Sequence, residues 1–185
     1  IADASAQDVT GLNALMNATT GTVTATIDGA AAELDDLQAT GTTSTQDLTI
    51  TVDDAQAGAA GVKALNTIAA ATTGSVTATI SGAAADLDDL TASGTTATQA
   101  YTITVDDVVT VAQGALIAAA TNAATVDFSA AGVRDAFASL VDGDGTTSDD
   151  FDATVAKDGD IHVDVTDTIA DASAQDVTGL NALMN

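Results

Sequence analysis

The feature that most constrains the fold of this chain is a 53-residue repeat within it. Residues Thr20–Asp54 realign on Thr73–Asp107, and 27 of the 35 aligned positions are identical. A third copy has diverged much further: its Ala123–Leu140 keeps only the order of a strand-like segment followed by an Ala-rich one. Internal repeats of this kind are typical of solenoids and tandem arrays, in which each unit buries its apolar face against its neighbours.

A second repetition joins the two ends of the chain. Ile1–Asn17 and Ile169–Asn185 are identical at every position. We interpret 1–168 as one period of a tandem array, and since the chain begins with Ile rather than Met we expect it to belong to something longer. The predicted units are 1–53, 54–106 and a divergent 107–168 with an acidic insertion, followed by 169–185 as the start of the next period.

Three segments predict strands. Val23–Ile27, Leu48–Val52 and Tyr101–Val105 alternate apolar residues with Thr. Alternation of period two with β-branched residues favours strands that have one buried face and one Thr-covered face. A further hairpin is predicted over Phe151–Val165, with Asp158-Gly159 as its tight turn.

Ala-rich segments between these strands predict helices. Asp8–Ala18 and its repeat Ala59–Ala70 carry apolar residues at helical spacing, and Ala30–Ala39 predicts a shorter helix. Asp28 and Ser81 follow the strands and precede the Ala runs, which predicts that they are helix N-caps.

Alternation of strands and helices favours parallel strands with helical crossovers. We therefore predict an α/β repeat: βαβα units of about 53 residues stacked as a two-layer solenoid-like array, with helices on one side and a Thr-rich sheet face on the other. The alternative is a string of small α+β domains with antiparallel sheets.

The charge excludes whole classes of partner. With 27 acidic and 3 basic residues the formal net charge is −24. Nucleic acid and anionic membrane surfaces are excluded as simple ligands because binding phosphates requires Lys and Arg. The acids repel one another at low salt, so the composition suits a salty, calcium-containing exterior. No apolar run is long enough for a transmembrane helix, and the absence of Cys excludes disulfides and thiolate metal sites.

Pairs of aspartates recur where the Thr-rich strands end, and they are candidate calcium ligands. Ca²⁺ prefers six to eight oxygen ligands, so neighbouring units would have to complete the shell. These residues are Asp53, Asp54, Asp106 and Asp107, with a looser pair at Asp164 and Asp167. The alternative is that they cap the following helix and keep the surface soluble.

The segment Asp142–Asp152 is a second calcium candidate because it combines acids with two turn glycines. Its predicted ligands are Asp142, Asp144, Asp149, Asp150 and Asp152. The glycine position and the absence of a closing Glu exclude an EF-hand. An acidic surface turn is the alternative interpretation.

No residue pattern predicts catalysis. Glu33, Asp35 and Asp36 are expected on a solvated helix face, and the single His162 cannot form a zinc site without further ligands. Neither a nucleophile elbow nor a phosphate or dinucleotide fingerprint occurs. We therefore expect a protein that is not an enzyme.

The duplicated segment is the predicted contact between successive periods, because its apolar residues form one helix face at each end of the chain. The predicted interface consists of Val9, Leu12, Leu15 and Met16 at one end and Val177, Leu180, Leu183 and Met184 at the other. Head-to-tail contacts of this type do not close and therefore propagate into fibres.

The segments TTGTVTATIDGAAAELDDL and TTGSVTATISGAAADLDDL, followed by TITVDD, resemble the tandem repeats of giant acidic bacterial secreted and surface proteins of the cyanobacterial type. The resemblance implies an extracellular or cell-surface location, type I secretion, an adhesin-like role and calcium binding. We expect a structural repeat of an extracellular filament, sheath or giant adhesin that assembles with itself. The alternative is an adhesive module that binds glycans or another cell surface.

Overall fold

The computed structural model of this chain describes residues 1–39, 45–91, 99–128, 132–169 and 173–184. The strands are β1 (Thr22–Gly29), β2 (Thr45–Val52), β3 (Gln56–Ala57), β4 (Val76–Gly82), β5 (Ala100–Val105), β6 (Val133–Asp135) and β7 (Val163–Val165). The helices are α1 (Ala6–Asn17), α2 (Ala31–Leu34), α3 (Gly58–Ala70), α4 (Ala84–Leu87), α5 (Val111–Ala119), α6 (Phe137–Leu140), α7 (Asp149–Val155) and α8 (Ala174–Leu183).

The named strands pair in parallel, as the alternation of strands and helices predicts. β1 pairs with β2, and β4 pairs with β5, in the same register, with Thr22 opposite Thr45 and Thr77 opposite Ala100. β2 and β3 pair in turn with β4, which completes a five-stranded sheet. β6 and β7 form a second parallel pair. An isolated parallel bridge joins Asp127 to Thr104 of β5, and another joins Val133 of β6 to Val109. The α/β class is therefore confirmed, and these parallel pairings do not fit the alternative of antiparallel sheets.

One face of the sheet is buried and the other is exposed and rich in Thr. In β2, Leu48, Ile50 and Val52 are buried, whereas Thr49 and Thr51 are exposed. The same alternation runs through β1 and β4. Helices contact the buried side, where α3 packs on β3 and β4 and α5 packs on β6. The predicted Thr-covered face is confirmed.

A single apolar cluster extends along the chain from Ala4 to Phe151. Most of its members are Ala, Val, Leu and Ile, so close approach of backbones replaces the bulk of aromatic side chains. At Gly82, for example, an added Cβ would lie 3.2 Å from the backbone of Gly58. Tyr101 is the largest fully buried side chain and occupies the position that Leu48 has in the first unit.

The hairpin predicted over Phe151–Val165 is wrong. Its first half is helix α7, which begins after Ser148, whose Oγ accepts a hydrogen bond from the Phe151 amide at 3.3 Å. The acids in the first turn of α7 interact favourably with the helix dipole, and this outweighs the local turn signal of Asp158-Gly159. β7 then pairs in parallel with β6.

The predicted N-caps at Asp28 and Ser81 are also wrong, because both residues lie within strands. The N-cap residues of α2 and α4 are Ala30 and Ala83, whose side chains accept no hydrogen bond. The first backbone N–H of each of these helices donates instead to an aspartate that follows the next strand of the sheet.

Candidate functional site

Among the described residues, four aspartates bind the starts of helices that lie earlier in the chain. Each accepts a hydrogen bond from the backbone N–H of the first helical residue. The pairs are Ala31 N to Asp54 Oδ1 (2.7 Å), Ala84 N to Asp107 Oδ1 (2.6 Å), Val111 N to Asp135 Oδ2 (3.1 Å) and Phe137 N to Asp167 Oδ1 (2.7 Å). The first turn of a helix leaves N–H groups unpaired, so each carboxylate satisfies one of them and complements the helix dipole.

These bonds correct the expectation that the aspartates cap the helix that follows. Helix α3, which follows Asp54, has Ala57 as its N-cap and no side-chain cap. Parallel pairing places the end of β2 beside the end of β1, so Asp54 meets the helix that follows β1 instead. The aspartates thereby hold adjacent strand–helix pairs together.

Two further sets of side chains tie neighbouring strand–helix pairs. Asn13 donates from Nδ2 to the Asp36 carbonyl and accepts at Oδ1 from the Gln38 amide, both at 2.9 Å. Asn66 makes the equivalent bonds one unit later. Thr72 Oγ1 accepts from the Leu48 amide at 2.7 Å and donates to the Leu48 carbonyl at 2.8 Å. Sequence reasoning missed these bonds, although a polar residue recurring at one place in successive Ala-rich helices is a signal for them.

Three aspartates come together beside the start of the chain. One carboxylate oxygen from each of Asp3, Asp28 and Asp53 lies within 4.8 Å of the others. Backbone pairing sets this geometry, since the Ala4 amide donates to the Asp28 carbonyl and the Asp53 amide donates to the Gly29 carbonyl. In the part of the chain that the structure describes, no other group of three acids or histidines is this close. This acidic triad includes one predicted calcium ligand, Asp53, and two residues that the sequence did not single out for metal binding.

Asp106, the counterpart of Asp53 in the second unit, belongs to no such group among the described residues. The positions equivalent to Asp3 and Asp28 are Gln56 and Ser81 there. The triad is therefore a feature of the first unit and is not repeated in the second.

The acids of Asp142–Asp152 are divided between a turn and a helix. Asp144 Oδ1 accepts hydrogen bonds from Thr146 Oγ1 at 2.6 Å and from the Thr146 amide at 3.0 Å, and these bonds lower the pKa of Asp144. Asp149, Asp150 and Asp152 lie in the first turn of α7. The exposed Asp142 precedes the turn, and its amide donates to the Thr146 carbonyl.

At the start of the chain, α1 buries the half of its apolar face that points to the following residues. Val9, Leu12 and Met16 are 1%, 7% and 0% exposed. Leu15, on the other side of the helix, is 57% exposed. Apart from its chain neighbours and the helix's own backbone, no atom lies within 4 Å of where a Cβ on Gly11 would be.

At the other end, the identical helix α8 buries the opposite half. Val177 is 50% exposed and Met184 is 74% exposed, although their counterparts in α1 are buried. Gly179 is buried, and a Cβ there would lie 2.5 Å from Val141 Cγ1 and 3.0 Å from Phe137 Cζ. Leu183 is half-buried against the core, and Leu180 is half-exposed.

The two copies of the segment are thus complementary. α1 uses the face that α8 leaves open, and α8 uses the face that α1 leaves open. Helix α3, which has strand–helix pairs on both sides, shows the combined state: Val62, Leu65 and Ile68, the counterparts of Val9, Leu12 and Leu15, are all buried. A single helix of the duplicated sequence therefore has two apolar faces, one for each neighbour.

No helix in the described ranges is both long and apolar enough to span a membrane. The sequence matches no protein-family model, and comparisons with curated proteins and with solved structures find no match. Any assignment of function therefore depends on the geometry of this chain.

Proposed function

We propose that this chain is a non-catalytic structural repeat of an extracellular filament, sheath or giant surface adhesin, in which βαβα units continue as a two-layer solenoid. The observation that supports this most is the pair of identical helices with complementary buried faces. In a continuing array one helix would serve both roles, and Val177, Leu180 and Met184 would be covered as Val9, Leu12 and Met16 are.

The mechanism of this function is mechanical. Each strand–helix pair needs the next one, because an aspartate of the next pair supplies the cap of its helix. Parallel strands add the backbone bonds of the sheet along the same direction. Among the described residues β7 pairs only with β6, and a sheet edge of this kind templates further pairing. Contacts between opposite ends are heterologous and do not close, so they extend into a fibre.

The extracellular part of the proposal is supported by charge. The net charge of −24 destabilises a compact state at low ionic strength, and salt or divalent cations relieve the repulsion. Arg134 and Asp164 form an ion pair at 2.8 Å, but both side chains are about half exposed and such pairs contribute little. Cations from the solution must therefore balance most of the negative charge.

We place a calcium ion at the acidic triad. Three carboxylates supply part of the oxygen shell that Ca²⁺ requires, and water supplies the remainder. Calcium at 100-fold excess over its dissociation constant would stabilise the fold by about 2.7 kcal/mol, which for this chain length is a rise of about 5–10 °C in Tm.

Three chains test the calcium assignment by thermal melts with and without calcium. We expect the rise in Tm in the original chain and in the control Asp106→Ser, but not in Asp28→Ser, which carries the residue found at the equivalent Ser81. A rise of the same size in all three chains would show general charge neutralisation instead. In a fourth chain, Asp149→Asn, loss of the rise would assign the ion to the acidic insertion instead.

The structural proposal itself is tested with a chain in which residues 18–185 are repeated once after Asn185. A continuous array predicts a single rod in electron micrographs, with unchanged width and about twice the length. Two separable globules joined by a variable gap would contradict the array. Immunogold labelling of intact source cells with antibody against the chain tests the surface location, and label confined to the cell interior would refute it.

An adhesive role is a second candidate, supported by the exposed Thr face. Thr26 faces Thr49 across β1 and β2, and Thr79 faces Thr102 across β4 and β5, so hydroxyl groups lie in register over neighbouring strands. Glycan-array binding that is lost on Thr26→Val together with Thr49→Val would favour this role, because Val keeps the β-branched shape and removes only the hydroxyl. Binding that is unaffected by both changes, or no binding at all, would count against it.

A further inference from the structure

We propose that the surface on which residues 1–17 lie is a docking site for residues 169–185 of a second copy of this chain. This surface, which includes Asp28, Asp36 and Gln38, is called the seat below. On docking, residues 169–185 of the second copy replace residues 1–17 of the first. The inference deepens the proposed function and rests on it. It identifies the two surfaces that meet. Residues 1–17, called the plug below, occupy the seat within their own copy until a second copy displaces them.

The seat is built from residues that follow the duplicated segment. The Ala4 amide donates to the Asp28 carbonyl at 2.8 Å, and the Asp28 amide donates to the Ile1 carbonyl at 3.0 Å. Asn13 bonds the backbone of Asp36 and Gln38. These contacts, together with the burial of one helix face, use atoms that the identical segment 169–185 also has.

Helix α8 can enter the seat without leaving its own position. α8 is held to its chain by Gly179, which lies against Val141 and Phe137, and by the half-buried Leu183. The face needed for the seat, which includes the exposed Val177 and Met184, is the opposite one. Both sets of contacts are therefore compatible on one helix, as they are on α3.

The occupant of this exposed face is indicated by the chain itself. The same residue sequence is covered at the other end by the segment that starts at Ala18, so the surface that fits the face is present on every copy. Because the seat and the docking segment lie at opposite ends, exchange between copies adds one molecule after another and does not close into a dimer.

The plug is held in place by its covalent link to the seat. A tethered segment has a high effective concentration, in the millimolar range for a short linker. The chain is therefore expected to exchange slowly and mainly at high protein concentration. Weakening the plug favours exchange, and weakening the docking segment opposes it.

Matched variants test this prediction, since the same substitution has opposite effects at its two positions. Leu12→Ala loosens the plug and should raise the self-association constant at least tenfold in sedimentation velocity. Leu180→Ala weakens the docking segment and should lower the constant at least tenfold. Equal effects of the same sign, or no change from either in chains that keep their circular dichroism, would overturn the inference.

A cross-link identifies the joint independently of these stabilities. The chain has no Cys, so thiols placed by Asn181→Cys and Gln38→Cys are unique. A short bis-maleimide should join these two positions between copies, because Asn181 corresponds to Asn13, which bonds the Gln38 amide. In the control Asn13→Cys with Gln38→Cys, the reagent should lock the plug within one copy and prevent assembly.

The outcomes separate the joint from the array. Two results would overturn the docking site and leave the proposed array intact. In one, fibres form but the reagent does not join positions 181 and 38 between copies. In the other, fibres still form after residues 1–17 have been cross-linked to their own copy. Failure of the covalently repeated chain to form one rod would instead overturn the array.

Discussion

Replacing one glycine at each end of the chain gives a sharp test, because the two glycines have identical local sequences and different surroundings. Gly11 and Gly179 both lie within a helix, where Gly is destabilising relative to Ala by about 0.5–1 kcal/mol. Gly11→Ala should therefore stabilise α1 by about that amount, since no atom beyond the chain neighbours and the helix's own backbone lies within 4 Å of the new methyl group.

Gly179→Ala gains the same helix propensity but places the methyl group 2.5 Å from Val141 Cγ1. Valine is stiff at χ1, so the overlap requires a shift of backbone or rotamer. Overpacking of this kind costs about 1–3 kcal/mol. Because the propensity term cancels between the two variants, the difference between their stability changes measures the overlap alone.

The measurement is hydrogen exchange by NMR, read separately for the amides of α1 and α8. Local readout is required because repeat proteins unfold in segments and not always as one unit. Val141→Ala in the Gly179→Ala background should restore α8, as a double-mutant cycle between contacting residues requires. Equal stabilisation by Gly11→Ala and Gly179→Ala would refute the packing of α8 against Val141.

Three further predictions concern buried and capping groups. The Tyr101 hydroxyl is buried and has no hydrogen-bond partner among the described residues, and burial raises its pKa. Tyr101→Phe should therefore leave the free energy of unfolding in urea unchanged or raise it by up to about 1 kcal/mol. A loss above about 1 kcal/mol would reveal a partner. Asp107→Ala removes the cap of α4 and should lower the free energy of unfolding by about 0.5–2 kcal/mol in the same assay. Its control, Asp106→Ala at an exposed position, should change the free energy little, and equal losses would refute the cap. Hydrogen bonds from Ser5 lower the pKa of Asp8 below its ordinary 3.8. The stability that the Asp8 carboxylate contributes is therefore present above pH 3.8 and is lost as the pH falls through the lower folded value. Asp8→Asn should flatten the dependence of α1 stability on pH over that range, and an unchanged pH profile would contradict this.

The positions of strands and helices in the first two units could be predicted from the sequence because their periodicity is local. Val23–Ile27 lies within β1, and Ala59–Ala70 lies within α3. The hairpin predicted over Phe151–Val165 is wrong because local signals compete there. The Asp158-Gly159 turn opposes the Ser148 cap and the acidic first turn of α7, and the packing of α7 on α5 adds to the side of the helix.

The pairing of side chains between strand–helix pairs could not be predicted. Asp54 stands next to α3 in sequence and caps α2 in space, which follows from the register of parallel strands and not from any local pattern. The acidic triad depends in the same way on the pairing of Ile1–Ala4 with β1. The sequence assigns Val9, Leu12, Leu15 and Met16 to a single apolar face, and only the structure divides them, with Leu15 exposed and the other three buried.

Whether the duplicated helix joins successive periods is tested by adding a copy of Ala18–Asp54 after Asn185 and comparing hydrogen exchange in α1 and α8. Both helices have the same sequence and therefore the same intrinsic exchange rates, so any difference is structural. If the added segment covers the open face of α8, the amides of this helix should exchange at least tenfold more slowly in the extended chain than in the original one and reach the protection of α1. Unchanged exchange in α8, with the added segment folded or not, would contradict the claim that the duplicated helix joins successive periods.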